Sequence, residues 1–138
     1  MMKGTYILIL ELKKDSSITI GRLGVVNFTR GYYLYVGSGF NGLYKRIERH
    51  LRQDKKNHWH IDYLLRECSI IDVYYKESRV KEECFVAEML KGLYEYIPGF
   101  GSSDCRCKSH LFKCNTINKN LLTMKLQMTE YKPIRKDL

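Results

Sequence analysis

The sequence predicts one α/β (α+β) domain that combines short strands with amphipathic helices. The chain has 138 residues, the length of one domain, and its 44% apolar content is enough to bury a core. Aromatic and β-branched runs that are bounded by glycines predict strands. Apolar residues at helical spacing predict helices.

The first half of the chain is predicted to be mostly strands. Residues 4–12 contain an uninterrupted apolar run, which indicates a buried strand. Residues 18–20 are predicted to be a second short strand that closes a hairpin after the polar turn at 13–16. Residues 22–30 are predicted to be irregular, because glycines interrupt and flank them, and residues 32–36 to be a third strand.

The remaining elements are predicted to be mainly helical. Residues 43–52 form an amphipathic helix, with Leu43, Ile47 and Leu51 on one face and basic residues on the others. A polar loop at 55–60 leads to a short helix at 61–65 and a strand at 70–75. A last helix is predicted over 82–96, with these residues facing inward: Phe85, Val86, Met89, Leu90 and Leu93.

The domain is expected to occupy residues 1–114, followed by a basic extension over 115–138. This polar extension is predicted to be either a loose extra helix or strand or a flexible tail.

Charge indicates an anionic partner. The net charge is +9 and the isoelectric point is near 9.3, which favours nucleic acid over an acidic membrane surface. The sequence contains no apolar run long enough to span a bilayer and no signal peptide at its start. We therefore expect a cytoplasmic protein, whose five cysteines are reduced thiols or metal ligands rather than disulfides.

An ordered set of motifs resembles the GIY-YIG nuclease superfamily. Gly4-Thr5-Tyr6 stands where that family has Gly-Ile-Tyr, and Tyr35-Val36-Gly37 stands where it has Tyr-Ile-Gly. Arg46 and His50 match the Arg and the later His of its helix, and Glu83 matches its metal-binding Glu. The resemblance covers roughly residues 3–110.

Three longer strings narrow the resemblance. They resemble a largely archaeal branch of the superfamily. The strings are Gly-Tyr-Tyr-x-Tyr-Val-Gly-Ser from Gly31, His-Trp-His-Ile-Asp-Tyr from His58 and Gly-Ser-Ser-Asp-Cys-x-Cys-x-Ser-His from Gly101. That branch is known as domain of unknown function 123.

The resemblance implies a fold, an activity and a set of catalytic residues. The fold would be a small, mainly antiparallel sheet flanked by helices, and the activity metal-dependent nicking or cleavage of DNA in repair or processing. The implied catalytic residues are Tyr6, Tyr35, Arg46, His50 and Glu83. The gap between the two tyrosine motifs is longer than is usual in the family, and an elaborated hairpin between the strands would restore the geometry.

The family's last active-site residue, an Asn, has no direct counterpart in this chain. Ser102, Ser103 and Asp104 stand in the corresponding region, and the sequence does not choose among them.

The same residues suit phosphodiester hydrolysis on chemical grounds. A tyrosine acts as a base only if its pKa, near 10 in solution, is lowered, and we expect Arg46, Lys45 and His50 to do this. Glu83 would hold one Mg²⁺ or Mn²⁺ together with water and substrate oxygens. Arg46 would donate two hydrogen bonds to a phosphate.

Nucleic-acid contacts are expected from the basic helix and the loop that follows it. The cations predicted to contact phosphates are Lys45, Arg49, Arg52, Lys55 and Lys56. The cluster His58-Trp59-His60 is a second candidate, in which Trp59 stacks on a base, both histidines lie on one side and Asp62 orients a histidine. Two alternatives remain: Trp59 packs and both histidines are surface groups, or the basic residues form only a solvated helix face.

The third concentrated pattern is Cys105-x-Cys107-x-x-His110-x-x-x-Cys114, whose ligand types suit tetrahedral Zn²⁺. The Cys-x-Cys spacing is compressed, and a domain of this size folds without a metal. We therefore expect no tightly bound zinc, with the thiols packed beside a cleft lined by Ser102, Ser103 and His110.

Two functions of other classes compete with a nuclease. One is a catalytically inactive nucleic-acid-binding module on the same fold, which would use the basic helix and Trp59 as its platform. The other is a zinc-stabilised adaptor that contacts an acidic protein.

Overall fold

The computed structural model describes residues 2–132, which contain eight strands, three α-helices, a 3-10 helix at Gly21–Leu23 and a π-helix at Leu121–Lys125. The strands are β1 Gly4–Leu12, β2 Ser16–Ile20, β3 Gly24–Phe28, β4 Gly31–Ser38, β5 Ser69–Glu77, β6 Glu95–Tyr96, β7 Leu111–Cys114 and β8 Thr129–Glu130. The helices are α1 Leu43–Leu51, α2 His60–Leu64 and α3 Glu83–Lys91.

The main sheet has the order β6-β7-β4-β1-β5-β8, and every neighbouring pair is antiparallel. The predicted α+β architecture with a mainly antiparallel sheet is therefore confirmed. β1 lies in the interior of the sheet and is buried on both faces, which explains its continuous apolar run.

Helices cover both faces of the sheet. Tyr6, Leu8 and Leu10 of β1 face a core that also contains residues of α1, α2 and the β2–β3 hairpin. Ile7 and Ile9 face the opposite core, which is closed by α3 and by the segment after residue 115.

The predicted hairpin between the first two strands is wrong. β2 pairs with β3 as a separate two-stranded sheet, and β1 pairs with β4 across this insertion. Residues 22–30 were predicted to be irregular, yet they contain β3. A strand with alternating intermediate and exposed residues carries only a weak apolar signal, which explains the error.

The last predicted helix is too long. α3 ends at Lys91, and the backbone N–H groups of Gly92 and Tyr94 close its final turn. Phe85 and Leu93 were expected to face inward, but they are 65% and 54% exposed. Strand β6 begins at Glu95, and β7 was not predicted because Leu111–Cys114 is too short to show a period.

Residues 115–132 pack on the sheet. Leu122, Leu126 and Met128 are buried in the core on the α3 side, and Tyr131 is buried on the α1 side. β8 adds an edge strand beside β5. This segment therefore matches the extra helix or strand rather than the flexible tail, and residues 133–138 of the predicted extension lie outside the described residues.

Candidate active site

The two tyrosine motifs meet on adjacent strands. In the β1–β4 pairing, Tyr6 lies opposite Gly37 and Leu8 lies opposite Tyr35, so both phenols project from one face of the sheet. A Cβ at Gly37 would lie 2.3 Å from the hydroxyl oxygen of Tyr6. The glycine after Tyr35 therefore leaves room for the Tyr6 ring, and the β2–β3 hairpin accounts for the long gap between the motifs.

Helix α1 places His50 in contact with Tyr6. Leu43, Ile47 and His50 form its buried face, and the Tyr6 hydroxyl lies 2.6 Å from Nε2 of His50. His50 is 2% exposed, and burial lowers its pKa to about 3, an effect to which nearby Arg49 and Arg46 add. The imidazole is therefore neutral at physiological pH, and its Nδ1 finds no hydrogen-bond partner among residues 2–132.

The tyrosine pKa values move in the opposite direction to the expectation. Burial raises the pKa of Tyr6 well above 10.0, and although Arg46 opposes the rise, it does not reverse it. Burial also raises the pKa of Tyr35, with a further contribution from the Glu83 carboxylate. Removal of the phenols from water outweighs the nearby cations, so both tyrosines hold their protons.

Arg46 lines a cleft beside the two tyrosines, and contacts with neighbouring groups already orient its side chain. Its Nη1 donates a hydrogen bond to the carbonyl of Ser38 at 3.1 Å, and its guanidinium lies 4.4 Å from the centre of the Trp59 ring. The Ser38 hydroxyl oxygen is buried and finds no hydrogen-bond partner in the described chain. Guanidinium and hydroxyl donors of this kind are suited to an incoming anion.

Arg49 has a structural role that its sequence context does not reveal. Its guanidinium donates to both carboxylate oxygens of Asp62, at 2.9 and 3.0 Å, and lies 4.2 Å from the Trp59 ring centre. Asp62 is buried and also accepts the backbone N–H groups of His58 and Trp59. Although burial opposes it, the bonds from Arg49 and this backbone hold the pKa of Asp62 below its usual range.

The remaining parts of the aromatic and histidine cluster have separate environments. Asp62 orients Arg49 rather than a histidine, which corrects the expectation. His58 is exposed and its ring lies 4.8 Å from that of Trp59, whereas Nδ1 of His60 accepts the N–H of Gly101 at 2.9 Å. Trp59 packs among Arg46, Arg49 and His58 and also lines the cleft.

Three neighbouring glutamates are separated by the fold. Glu82 forms an ion pair with Lys76 at 3.1 Å, and Glu88 is exposed on α3 near Lys91. Glu83, the first residue of α3, is half-buried and lines the same cleft as the tyrosines. The structure therefore singles out Glu83 as the glutamate that faces the other candidate residues.

The cleft has a volume of about 240 Å³. It brings together the five predicted catalytic residues and adds several that sequence reasoning missed. The added lining residues include Ser38, Phe40, Asn41, Lys81 and Gly101. Trp59, which was predicted to stack on a base, also lines the cleft. Asp104 lines the cleft, whereas Ser102 and Ser103, which were expected to line it, do not. His110 lines it as expected.

The predicted phosphate-binding cations fall into two groups. Lys45, Arg52 and Lys56 are exposed, and Lys45 and Arg52 line a surface groove along α1. Lys55 instead donates its ammonium to the carbonyls of His50 and Arg52, so it ties the end of α1 to the following loop.

The cysteine pattern assembles differently from its order in the sequence. Cys84 of α3 joins Cys105, Cys107 and His110, whose ligand atoms all lie within 4.8 Å of one another. Cys114 is buried in the core on the α3 side instead. Burial raises the pKa of Cys84 and Cys107, to which neighbouring Cys105 adds, and burial lowers the pKa of His110.

A family model, described as Domain of unknown function DUF123, matches residues 5–132. The matched span includes both tyrosine motifs, α1, Glu83 and the cysteine-bearing loop. Neither a curated protein nor a solved structure matches the chain. In residues 2–132 the structure contains no helix that is both long and apolar enough to cross a bilayer. Because the match spans most of its length, the chain belongs to the family described as domain of unknown function DUF123.

Proposed function

We propose that this protein is a divalent-metal-dependent endonuclease that hydrolyses phosphodiester bonds in DNA, with a fold related to the GIY-YIG nucleases. One observation carries the proposal: Tyr6, Tyr35, Arg46, His50 and Glu83 come from four different elements and line one cleft. The net charge of +9 supports an anionic polymer as substrate. A cytoplasmic role in DNA repair or processing belongs to the same proposal.

Arg46 and the Ser38 hydroxyl would bind the phosphodiester. The guanidinium is oriented by the Ser38 carbonyl and by Trp59, so little side-chain entropy remains to be lost when an anion binds. The Ser38 hydroxyl, for which residues 2–132 provide no hydrogen-bond partner, would gain an acceptor in the same step.

Tyr6 and His50 would move a proton together. In the described geometry the neutral Nε2 of His50 is positioned to accept the Tyr6 hydroxyl proton. As the Tyr6 oxygen takes a proton from an attacking water, its own proton would pass to His50. The tyrosine stays neutral overall, which avoids a buried phenolate, and the charge of the bound phosphodiester offsets the imidazolium that forms.

The donors in the cleft fit Mg²⁺ or Mn²⁺. Glu83 and Asp104 provide carboxylate oxygens, the hard ligands that these ions prefer, and neither carboxylate is buried. When bound, the ion would stabilise the negative charge that develops on the phosphate oxygens.

A catalytically inactive nucleic-acid-binding module on the same fold is the second candidate. The high pKa of both tyrosines and the low pKa of His50 favour it, because none of these groups is a strong base on its own. Both candidate functions predict that the protein binds DNA, but only the endonuclease predicts that the DNA is cleaved.

Nicking of supercoiled plasmid tests the proposal. We expect wild type to produce nicked circles with Mg²⁺ or Mn²⁺ and none with EDTA. Glu83→Gln should abolish nicking while DNA affinity stays within a few fold. Glu88→Gln, which removes an exposed carboxylate from the same helix, should nick like wild type. Wild-type protein that binds DNA but is inert with every divalent ion would establish the binding module instead.

A further inference from the structure

The cluster of Cys84, Cys105, Cys107 and His110 is the strongest feature outside the proposed chemistry. Its ligands come from two distant parts of the chain. Cys84 is the second residue of α3, and the other three lie in the loop between β6 and β7. A local sequence motif cannot reveal such a cluster, because its ligands meet only in the folded chain. Cys84, which the sequence pattern did not include, takes the place of Cys114.

The spacing of the ligand atoms suits a tetrahedral ion. Metal–sulfur bonds of about 2.3 Å and metal–nitrogen bonds of about 2.0 Å place tetrahedral ligand atoms about 3.5 to 3.8 Å apart. Sγ of Cys105 lies 3.4 Å from Nε2 of His110, and all four ligand atoms lie within 4.8 Å of one another. Closure around an ion therefore requires only small side-chain movements.

We propose that these four residues form a structural Zn²⁺ site that joins the start of α3 to the β6–β7 loop. Three thiolates and one imidazole are a soft donor set of the kind that holds structural zinc with no open position for substrate. This proposal does not depend on whether the adjacent cleft cleaves DNA.

The fold explains why a metal would be useful here. Between Tyr96 and Leu111 the chain has no helix or strand, and only a few backbone bonds fasten it, such as Gly99 N–H to the Lys108 carbonyl and His110 N–H to the Phe100 carbonyl. Long irregular segments in compact domains commonly need such fixation. A bound ion would fix the positions of Asp104, next to Cys105, and Glu83, next to Cys84, both of which line the cleft.

Metal content, measured on full-length protein purified under reducing conditions without chelator, tests the site. We expect about one zinc per chain. Cys84→Ser and Cys107→Ser should each lose the zinc and melt at a lower temperature. Cys68→Ser and Cys114→Ser, which alter cysteines outside the cluster, should keep it.

Cobalt substitution keeps the test decisive if the serine variants fail to fold. Wild type stripped of metal and titrated with Co²⁺ should develop the intense visible bands of tetrahedral cobalt together with thiolate-to-cobalt charge transfer. Purified protein without zinc, and no such spectrum on titration, would overturn the proposal. A disulfide between two cluster cysteines that persists under the reducing conditions would also overturn it. The same holds if the Cys84→Ser variant keeps its zinc and the Cys114→Ser variant loses it.

Discussion

His50 shows how burial changes the chemistry of a single residue. The imidazole is enclosed between α1 and the sheet, and its pKa falls from 6.5 to about 3. Its Nε2 lies within hydrogen-bond distance of the Tyr6 hydroxyl, and burial keeps the ring neutral. A histidine that an exposed helix would leave half charged near neutrality is thereby fixed in one protonation state.

The free energy of unfolding should therefore fall in mild acid because of His50. Between pH 6.5 and pH 3 the unfolded chain binds a proton that the folded chain does not, so stability is lost as the pH decreases. We expect His50→Gln to lose about 2 kcal/mol less than wild type between about pH 7 and pH 5.

Urea denaturation of both proteins at the two pH values measures this difference. The comparison between variants is required because burial also lowers the pKa of His60 and His110. His58→Gln, at an exposed histidine, should behave like wild type. Equal acid losses for His50→Gln and wild type would show that His50 titrates normally.

The nicking rate of the wild-type protein should change little with pH if Tyr6 acts as proposed. In the proposed relay the active form has a protonated Tyr6 and a neutral His50, and the raised and lowered pKa values keep this form dominant from about pH 7 to about pH 9. Tyr6→Phe should reduce single-turnover nicking by about 10²- to 10⁴-fold. Tyr32→Phe, on the opposite face of the sheet, should not. A rate that rises about tenfold per pH unit would instead identify a free tyrosinate as the base.

At the scale of elements, the β1–β4 pair decides where the candidate residues lie. Its register brings Tyr6 against Gly37, although the two motifs are separated by the β2–β3 insertion. This register places Tyr6 and Tyr35 on one face of the sheet, whereas a one-residue shift would turn Tyr35 to the other side.

Gly37→Ala should disrupt this pair. The new methyl group would lie 2.3 Å from the hydroxyl oxygen and Cζ of Tyr6, so the buried ring or the β4 backbone would have to shift. We expect a decrease in stability of about 1 to 3 kcal/mol in a urea titration, together with loss of nicking. Gly92→Ala, whose Cβ would make only an ordinary 3.5 Å contact, is the matched control. Unchanged stability in Gly37→Ala would contradict the β1–β4 register.

At the scale of the whole molecule, the basic side chains divide into those that stabilise the fold and those that are exposed to solvent. Arg49 neutralises buried Asp62, and Lys55 binds backbone carbonyls at the end of α1. Removing Arg49 would leave a buried carboxylate without its partner, at a cost of about 3 to 5 kcal/mol. Lys45, Arg52 and Lys56 are exposed and are therefore the cations with which to test DNA contact.

The triple substitution of Lys45, Arg52 and Lys56 by Gln should weaken DNA binding equally for all sequences. The slope of log affinity against log salt should become shallower by about one unit for each phosphate that the protein no longer neutralises, measured by fluorescence anisotropy. Substituting the exposed Lys13, Lys14 and Lys125 makes the same charge change away from the α1 groove and should alter the slope less. An identical slope in the α1 triple variant and wild type would place the DNA elsewhere.

The sequence alone determined the elements whose signal is local. The apolar run of β1, the spacing of Leu43 and Ile47 in α1 and the order of the tyrosine, arginine and glutamate motifs each depend on neighbours along the chain. The fold class followed from them.

Only the tertiary structure decided the pairing of β1 with β4, the replacement of Cys114 by Cys84 and the commitment of Arg49 to Asp62. It also decided the direction in which the pKa of Tyr6 and His50 moves. These properties arise from groups far apart in sequence and from the water that burial removes, and neither is visible in a local pattern of residues.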